Sequence, residues 1–396
     1  MSESREPIQG MGQHLALQGL LEQNQSLAYY QQADTLVQWL DALILQAIHQ
    51  GASDIHFEHY AHAYRIRFRL DGILHPIAAP DINLAPRITA RLKALALLDT
   101  TEKRLPQEGN FSFQSTDCRL SSCPTSFGEK IVLRLLEKDV NRFTLETLGF
   151  EKAQYIKVKQ ALAKPQGMIL VTGPTGSGKT VTLYTALALL NTDTVNIVSL
   201  EDPVEIHLAG INQIALQPKL GFSFAKALPA LLRQDPDIIM LGEIRDLESA
   251  NTAIAAAHSG HLVLSSLHTN SAIDTIERLI HMGLPLLHIT SCLSLIIAQR
   301  LVRKLCEHCK IPDSQAKGFK SLGCNQCSAG FKGRIGLFEV LPMTRSLTQC
   351  ILAGANAQQL LTAARAEGMV SLAESGQALV ALGLTSWDEI RRVVDV

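Results

Sequence analysis

The sequence predicts an α/β chain in which a smaller α+β domain precedes a larger domain built on a parallel β-sheet. Two observations lead to this prediction. The segment Tyr64–Leu70 alternates apolar and polar residues, as expected of a strand with one buried face. From Met168 onward, continuous apolar runs alternate with helical patterns, and such runs are typical of parallel strands covered by helices on both faces.

The composition indicates a globular protein of more than one domain. The chain has 396 residues, of which 46% are hydrophobic and 18% charged, and its formal net charge is −1. This balance supplies no overall positive field, so it does not favour a nucleic-acid-binding protein. The first residues, MSESREPIQG, lack the basic and apolar regions of a secretory signal peptide, and we expect a cytoplasmic protein.

Residues 1–34 are rich in glutamine and weakly periodic, and we interpret them as a tail or a remnant. The α+β domain is predicted over residues 35–145. Its first helix runs from Leu36 to Gly51, because leucine and isoleucine recur there at helical spacing. Asp71-Gly72, directly after the alternating strand, is a strong signal for a hairpin turn. The remaining predicted elements are a helix at 85–98 and strands near 111–113 and 130–136.

The larger domain is predicted over residues 146–396. Ligands of open α/β sheets bind beyond the carboxyl ends of the strands, so the polar residues that follow the apolar runs should converge there. After residue 283 the pattern is mainly helical. We interpret Leu284–Val302 as a buried helix, because a membrane span poorly tolerates its His288 and Arg300.

The segment GPTGSGKT matches the phosphate-binding P-loop pattern and lies between a predicted strand, 168–172, and a predicted helix, 181–190. Glycines let successive N–H groups point at phosphates, and the helix adds the positive end of its dipole. Lys179 is expected to reach the β- and γ-phosphates of ATP, and the Thr180 hydroxyl to bind Mg²⁺. The predicted ATP-binding residues are Gly173, Pro174, Thr175, Gly176, Ser177, Gly178, Lys179 and Thr180.

Acidic residues follow two further apolar runs. Glu201 and Glu205 lie in SLEDPVE, and Glu243 follows DIIMLG. A P-loop site needs one group to hold or orient Mg²⁺ and another to position the attacking water. Glu201 and Glu205 are the candidates for the water, and Glu243 is the candidate on the metal side.

Histidines flank the last apolar run of the parallel set. His258 and His261 precede the run LVLSSL, and His268 follows it directly. A single histidine is more often structural, but their clustering predicts a sensor or polar network near the γ-phosphate. His261 and His268 are therefore included among the residues predicted to bind the nucleotide.

Four of the eight cysteines are spaced as metal ligands. They form two Cys-x-x-Cys pairs separated by 14 residues: Cys306, Cys309, Cys324 and Cys327. Each pair brings two thiolates together on a tight turn, and four sulfurs suit tetrahedral Zn²⁺. We predict a structural zinc subdomain at 300–340, with coincidental buried cysteines and a redox dithiol as alternatives.

Taken in order, these segments resemble the secretion ATPase family that drives type II secretion and type IV pilus assembly. The resemblance covers about residues 35–396. It is carried by SDIHFE, FRLDG, KRLPQEG, SFGEKIVLRLL, GPTGSGKTVTLY, SLEDPVE, LRQDPDIIMLGEIRD, HSGHLVLSSLHTN, RLVRKLC, GCNQC and FKGRIGLFEV.

The resemblance implies a PAS-like N-terminal domain linked to a RecA-like P-loop motor domain. Such subunits form homohexamers at the cytoplasmic, inner face of the inner membrane, where ATP hydrolysis moves a platform protein that adds pilin-like subunits. Membrane association then runs through partners, and no nucleic acid is expected. The resemblance also implies that Arg119 and Arg104 reach the phosphates, with Arg134 a weaker match.

Three departures from the family pattern bear on this interpretation. Asn110 stands where the family usually has arginine, the stretch from Asn110 to Arg119 is short, and about 35 residues replace a further N-terminal domain. The four cysteines favour the assembly or secretion branch over retraction, and the short spacer between them favours the pilus side. The alternatives are a nucleic-acid-dependent RecA-like ATPase and an ATP-binding structural ring subunit with little turnover.

Overall fold

The computed structural model describes residues 33–136, 143–217, 221–313 and 318–394. These residues fall into two units, divided between Lys138 and Asp139. The tail predicted over residues 1–34 lies almost entirely outside the described residues. Within them, no helix is both long enough and apolar enough to cross a membrane.

The first unit is an antiparallel sheet with two helices on one face. Its strands follow the order β3-β2-β1-β6-β5-β4, and the apolar sides of the helices pack on the sheet to form one core. The elements are α1 (Ala33–His49), β1 (Asp54–His59), β2 (Tyr64–Leu70), β3 (Ile73–Ala78), α2 (Ala85–Leu95), β4 (Gln107–Phe113), β5 (Thr116–Thr125) and β6 (Gly128–Leu136).

Local sequence signals explain the predicted parts of this unit. The strand predicted at Tyr64–Leu70 is present with those limits and buries alternate side chains. The hairpin turn is confirmed, since Asp71 and Gly72 have φ angles of 47° and 86° and join Leu70 to Ile73. The strands β1, β3 and β5 were not predicted, although the turn signal at Asp71-Gly72 precedes β3 directly.

The second unit holds the remaining elements. They are α3 (Lys152–Leu162), β7 (Gly167–Thr172), α4 (Lys179–Leu190), β8 (Ile197–Glu201), β9 (Asn212–Ala215), α5 (Phe224–Leu231), β10 (Ile238–Leu241), α6 (Leu247–His258), β11 (Leu262–Leu267), α7 (Ala272–His281), α8 (Leu286–Cys292), β12 (Leu293–Leu305), β13 (Ile311–Pro312), β14 (Phe319–Lys320), β15 (Phe331–Pro342), α9 (Arg345–Leu352), α10 (Ala357–Ala366), α11 (Leu372–Ala381) and α12 (Trp387–Val393).

The main sheet of this unit has the strand order β15-β12-β7-β11-β10-β8-β9. The four strands predicted from continuous apolar runs, β7, β8, β10 and β11, are parallel and buried along their whole length. Separate apolar cores cover the two faces. The predicted α/β class is therefore confirmed, and the carboxyl ends of these strands share one edge.

The helix predicted over Leu284–Val302 is wrong for most of its length. Only Leu286–Cys292 is helical, and the chain then forms β12, which pairs in parallel with β7 and antiparallel with β15. The expectation of a mainly helical region after residue 283 fails over residues 293–342, which carry β12 to β15, but the four helices α9 to α12 between residues 345 and 393 agree with it. A strand buried on both faces shows no alternation, so its apolar run cannot be distinguished from a buried helix by periodicity.

Candidate active site

The P-loop runs from the end of β7 at Thr172 into α4, whose first residue is Lys179. Gly178 adopts a left-handed φ of 88° at the helix N-cap, a conformation that glycine takes without strain. At Gly173, a Cβ would lie 2.5 Å from the Gln299 carbonyl oxygen. The loop is therefore tight against its neighbour, and its glycines are needed for space as well as for backbone conformation.

The Lys179 amine folds back into this loop. Its Nζ donates to the Gly173 oxygen at 2.8 Å and the Pro174 oxygen at 3.2 Å, and lies 3.5 Å from His268 Nδ1. Burial lowers the pKa of the amine to about 8, while Glu243 acts in the opposite direction. A cation thus sits at the carboxyl end of β7, where a P-loop lysine is needed.

The cradle fits a nucleoside triphosphate. Ser177 is buried, and its Oγ has no hydrogen-bond partner among the described residues. Leaving a buried hydroxyl unpaired is costly, so a phosphate oxygen at this position would satisfy it. Thr180 is exposed at the second residue of α4, where its hydroxyl is accessible to a metal ion.

Glu243 and His268 extend the site from the lysine. His268 Nε2 lies 3.1 Å from the Glu243 carboxylate, so the order of contacts is Lys179, His268, Glu243. Burial alone would raise the pKa of the Glu243 carboxyl, but Arg245 and His268 outweigh it and the pKa is lowered. The structure therefore brings together three of the predicted residues, from β7–α4, β10 and β11.

Arg245 is a site residue that the sequence interpretation did not select. It pairs with Glu243 and places Nη1 3.7 Å from the Asp202 carboxylate, which follows β8. An exposed arginine after a strand carries no signal by itself. Glu243 is its neighbour in sequence, and the topology, which sets the ends of β8 and β10 side by side, adds Asp202 as a second acidic partner.

Glu201 and Glu205 occupy different environments. The buried Glu201 carboxylate accepts hydrogen bonds from the Tyr184 hydroxyl, from Ser199 Oγ at 2.5 Å and from Gln213 Nε2 at 3.2 Å. Because Tyr184 belongs to α4, Glu201 is tied to the helix that begins at the P-loop. Glu205 is half-buried, and its main-chain N–H contacts the same tyrosine hydroxyl.

His261 lies apart from the contacts among Lys179, His268 and Glu243, and its predicted role at the nucleotide stays a prediction. Its carbonyl pairs with Gly167, at the start of β7, and its Nδ1 lies 2.9 Å from the Ala256 oxygen. β11 separates His261 from His268 by six residues, or about 20 Å at the usual rise of a strand. The two histidines flank one strand and therefore lie at opposite edges of the sheet.

The two predicted arginines lie in the first unit. Arg119 is on β5, directly opposite Asn110 on β4, and donates to Glu108 at 3.1 Å. Arg104 precedes β4, is 88% exposed and pairs with Glu102 at 3.0 Å. Their contact with phosphates stays a prediction.

The four predicted cysteines form one cluster, and their sulfurs all lie within 4.8 Å of one another. The pairs Cys306–Cys324, Cys309–Cys327 and Cys324–Cys327 are separated by 3.9, 3.7 and 3.5 Å. Zinc with four sulfur ligands at about 2.3 Å requires sulfurs about 3.8 Å apart. The geometry therefore suits a tetrahedral zinc site.

The lowered pKa of Lys179 predicts a pH-dependent nucleotide affinity. Only the protonated amine attracts phosphate, and with a pKa of about 8 that form is lost as pH rises through 8. We expect ADP affinity to be steady below about pH 7 and to fall roughly tenfold per pH unit above about pH 8. Titration with a fluorescent ADP analogue at several pH values measures this, and a constant affinity up to about pH 9.5 would contradict it.

This arrangement of a P-loop between β7 and α4, with acids at the ends of neighbouring parallel strands, defines a P-loop nucleoside triphosphatase. The chain belongs to the Type II/IV secretion system protein family, whose model matches residues 30–392. It is an ATPase of that family.

Individual relatives agree with this assignment. The Type IV pilus assembly ATPase PilB of Pseudomonas aeruginosa is 47% identical over 380 residues, which cover 90% of this chain and 67% of that protein. The Protein transport protein HofB homolog of Escherichia coli K12 is 49% identical, covering 90% and 80%. The solved structure of the pilus retraction motor PilT with bound ADP is 26% identical, with a TM-score of 0.64, covering 90% of this chain and 97% of that one.

Proposed function

We propose that the chain is a motor subunit of a homohexamer that uses ATP hydrolysis to drive type IV pilus assembly. The hexamer acts at the cytoplasmic face of the inner membrane on a platform protein. The observation that carries the motor function is the run of contacts from Lys179 through His268 to Glu243, which joins the P-loop to the end of β10. The pilus assignment is supported by the name of the Pseudomonas relative.

Each site residue has a role that follows from its position around the P-loop. Lys179 and the loop N–H groups hold the β- and γ-phosphates, and Thr180 with Glu243 holds Mg²⁺, which neutralises phosphate charge when bound. Glu201 and Glu205 position the attacking water. The three donors on Glu201 fix its orientation, as such a role requires.

The cysteine cluster holds Zn²⁺ in a structural role, because four mutually close sulfurs leave no open coordination position. Arg119 and Arg104 supply positive charge to the phosphates from the first unit. The chain then contains a PAS-like domain over residues 35–145 and a RecA-like motor domain over residues 146–396.

Deletion of the gene in its source organism separates pilus assembly from type II secretion. We expect the deletion strain to lose surface pili while its exoprotein secretion is unchanged. Wild-type plasmid should restore pili, whereas Lys179→Ala should not, since the variant lacks the phosphate-binding amine. Piliated deletion cells that fail to secrete exoproteins would overturn the pilus assignment and favour secretion.

A further inference from the structure

The strand β12 is longer than its neighbour β7 and continues beside the P-loop. The two strands pair up to Ala298 and Thr172, where β7 ends. β12 then runs on with β15 as its partner, through the pairs Gln299–Phe338 and Arg300–Leu337. Gln299 and Arg300 are thus the first residues of β12 that lie alongside the loop instead of alongside β7.

Gln299 points to the α4 side of the sheet. Its side chain is 2% exposed, and its Oε1 accepts a hydrogen bond from Thr182 Oγ1 at 2.7 Å. A Cβ at Gly178 would lie 2.9 Å from its Nε2, and a Cβ at Gly173 2.5 Å from its carbonyl oxygen. One residue therefore packs against both ends of the P-loop and the first turn of the helix that follows.

Arg300 points to the opposite face, since neighbouring residues of a strand alternate. Its guanidinium donates to the Asn270 carbonyl at 3.0 Å and to the Asn270 side chain at 3.2 Å. Asn270 is two residues after His268. Glu339 lies on β15, opposite Ala298 of β12. Its carboxylate accepts a hydrogen bond from the Ala272 N–H at 2.7 Å. Together these contacts hold the loop between His268 and α7.

Burying the polar side chains of Gln299 and Arg300 costs free energy, and packing of the apolar core does not require polar residues at these positions. Both residues are at least nine-tenths buried, and they follow the largely apolar segment Leu293–Ala298 of the same strand. A buried amide and a buried guanidinium lose hydration, which their hydrogen bonds must offset. Within the strand, Arg300 Nη1 donates to the Gln299 carbonyl oxygen at 3.0 Å. The other hydrogen bonds of the pair lead to Thr182 in α4, the helix that begins at the P-loop, and to Asn270 in the loop after His268.

We propose that Gln299 and Arg300 are positioning residues of the ATP site. Gln299 sets the P-loop and α4 against β12, so it governs nucleotide binding. Arg300 sets the loop that carries His268, so it governs turnover after binding. The second statement rests on the proposed position of His268 near the γ-phosphate.

Three variants separate the two roles: Gln299→Leu, Arg300→Gln and Arg300→Lys. Gln299→Leu leaves the Thr182 hydroxyl without its acceptor, and we expect the KM for ATP and the Kd for a fluorescent ADP analogue to rise about tenfold. Arg300→Gln should lower kcat by about tenfold to a hundredfold with ADP affinity changed by less than about twofold, and Arg300→Lys should recover only part of kcat.

Exposed residues supply the matched controls, Gln358→Leu and Arg345→Gln, which should leave both parameters unchanged. Thermal unfolding of each variant identifies any loss of the fold. If Gln299→Leu lowers kcat as strongly as it weakens ADP binding, or if Arg300→Gln weakens ADP binding as strongly as it lowers kcat, the inference is wrong. Normal KM, Kd and kcat in folded variants would also overturn it. These measurements use purified protein, so a failure to support pilus assembly does not affect them.

Discussion

Replacing Lys179 with alanine is expected to reduce ATP turnover by at least about a hundredfold to a thousandfold, to the background of the preparation. The amine lies inside the P-loop, within 3.2 Å of two loop carbonyls, and adjoins His268. It thus places a positive charge where the phosphates are expected, and its removal takes that charge away from the negative charge that develops in the transition state. Steady-state phosphate release by the purified chain measures the effect.

Lys164→Ala is the matched control, because Lys164 is exposed and lies before β7. It should hydrolyse ATP at the wild-type rate. Equal background rates for wild type and Lys179→Ala would indicate a structural ring subunit that binds ATP with little turnover. Adding single-stranded DNA to the same assay tests the nucleic-acid-dependent alternative, which requires stimulation, whereas we expect none.

Loss of the cysteine cluster is expected to produce the largest change in stability. We predict one Zn²⁺ per chain in freshly purified protein, and its loss in Cys306→Ser or Cys324→Ser. Cys306 is buried directly after β12, so an empty cluster releases the end of that strand. If loss of the zinc lowers the free energy of unfolding by only about 3 kcal/mol, the Tm of the domain falls by roughly 6–12 °C.

Metal analysis and thermal unfolding of the same samples measure both quantities. Cys123→Ser is the control, since Cys123 is exposed on β5 and outside the cluster. It should keep the zinc and the wild-type Tm. Freshly purified wild-type protein without zinc, or zinc-free variants with an unchanged Tm, would contradict the structural role.

Local signals explain why much of the fold was predictable. The strand Tyr64–Leu70 and its turn depend on neighbouring residues only, and the P-loop is a contiguous motif that carries its own context. The failure at Leu284–Val302 has the opposite origin. Its strand is formed by pairing with β7 and β15, which are distant in sequence.

The sequence predicted those site residues that closely follow a strand of the parallel sheet. Glu243 and His268 were selected in this way, and they adjoin in the structure. Sheet order was not accessible, however, and β11 and β10 lie between β7 and β8. Arg245 and Gln299 were missed because Asp202 and Thr182, which they contact, come from distant segments of the chain. His261 lies apart from the contact between Glu243 and His268 because the two ends of one strand are near in sequence but far apart in space.

The central claim, that the P-loop holds ATP through Lys179, is tested most directly by equilibrium binding. Calorimetric titration of the purified chain with ATP and Mg²⁺ should give one nucleotide per chain, and Lys179→Ala should bind at least about tenfold more weakly. Equal affinity in the two proteins would contradict the account.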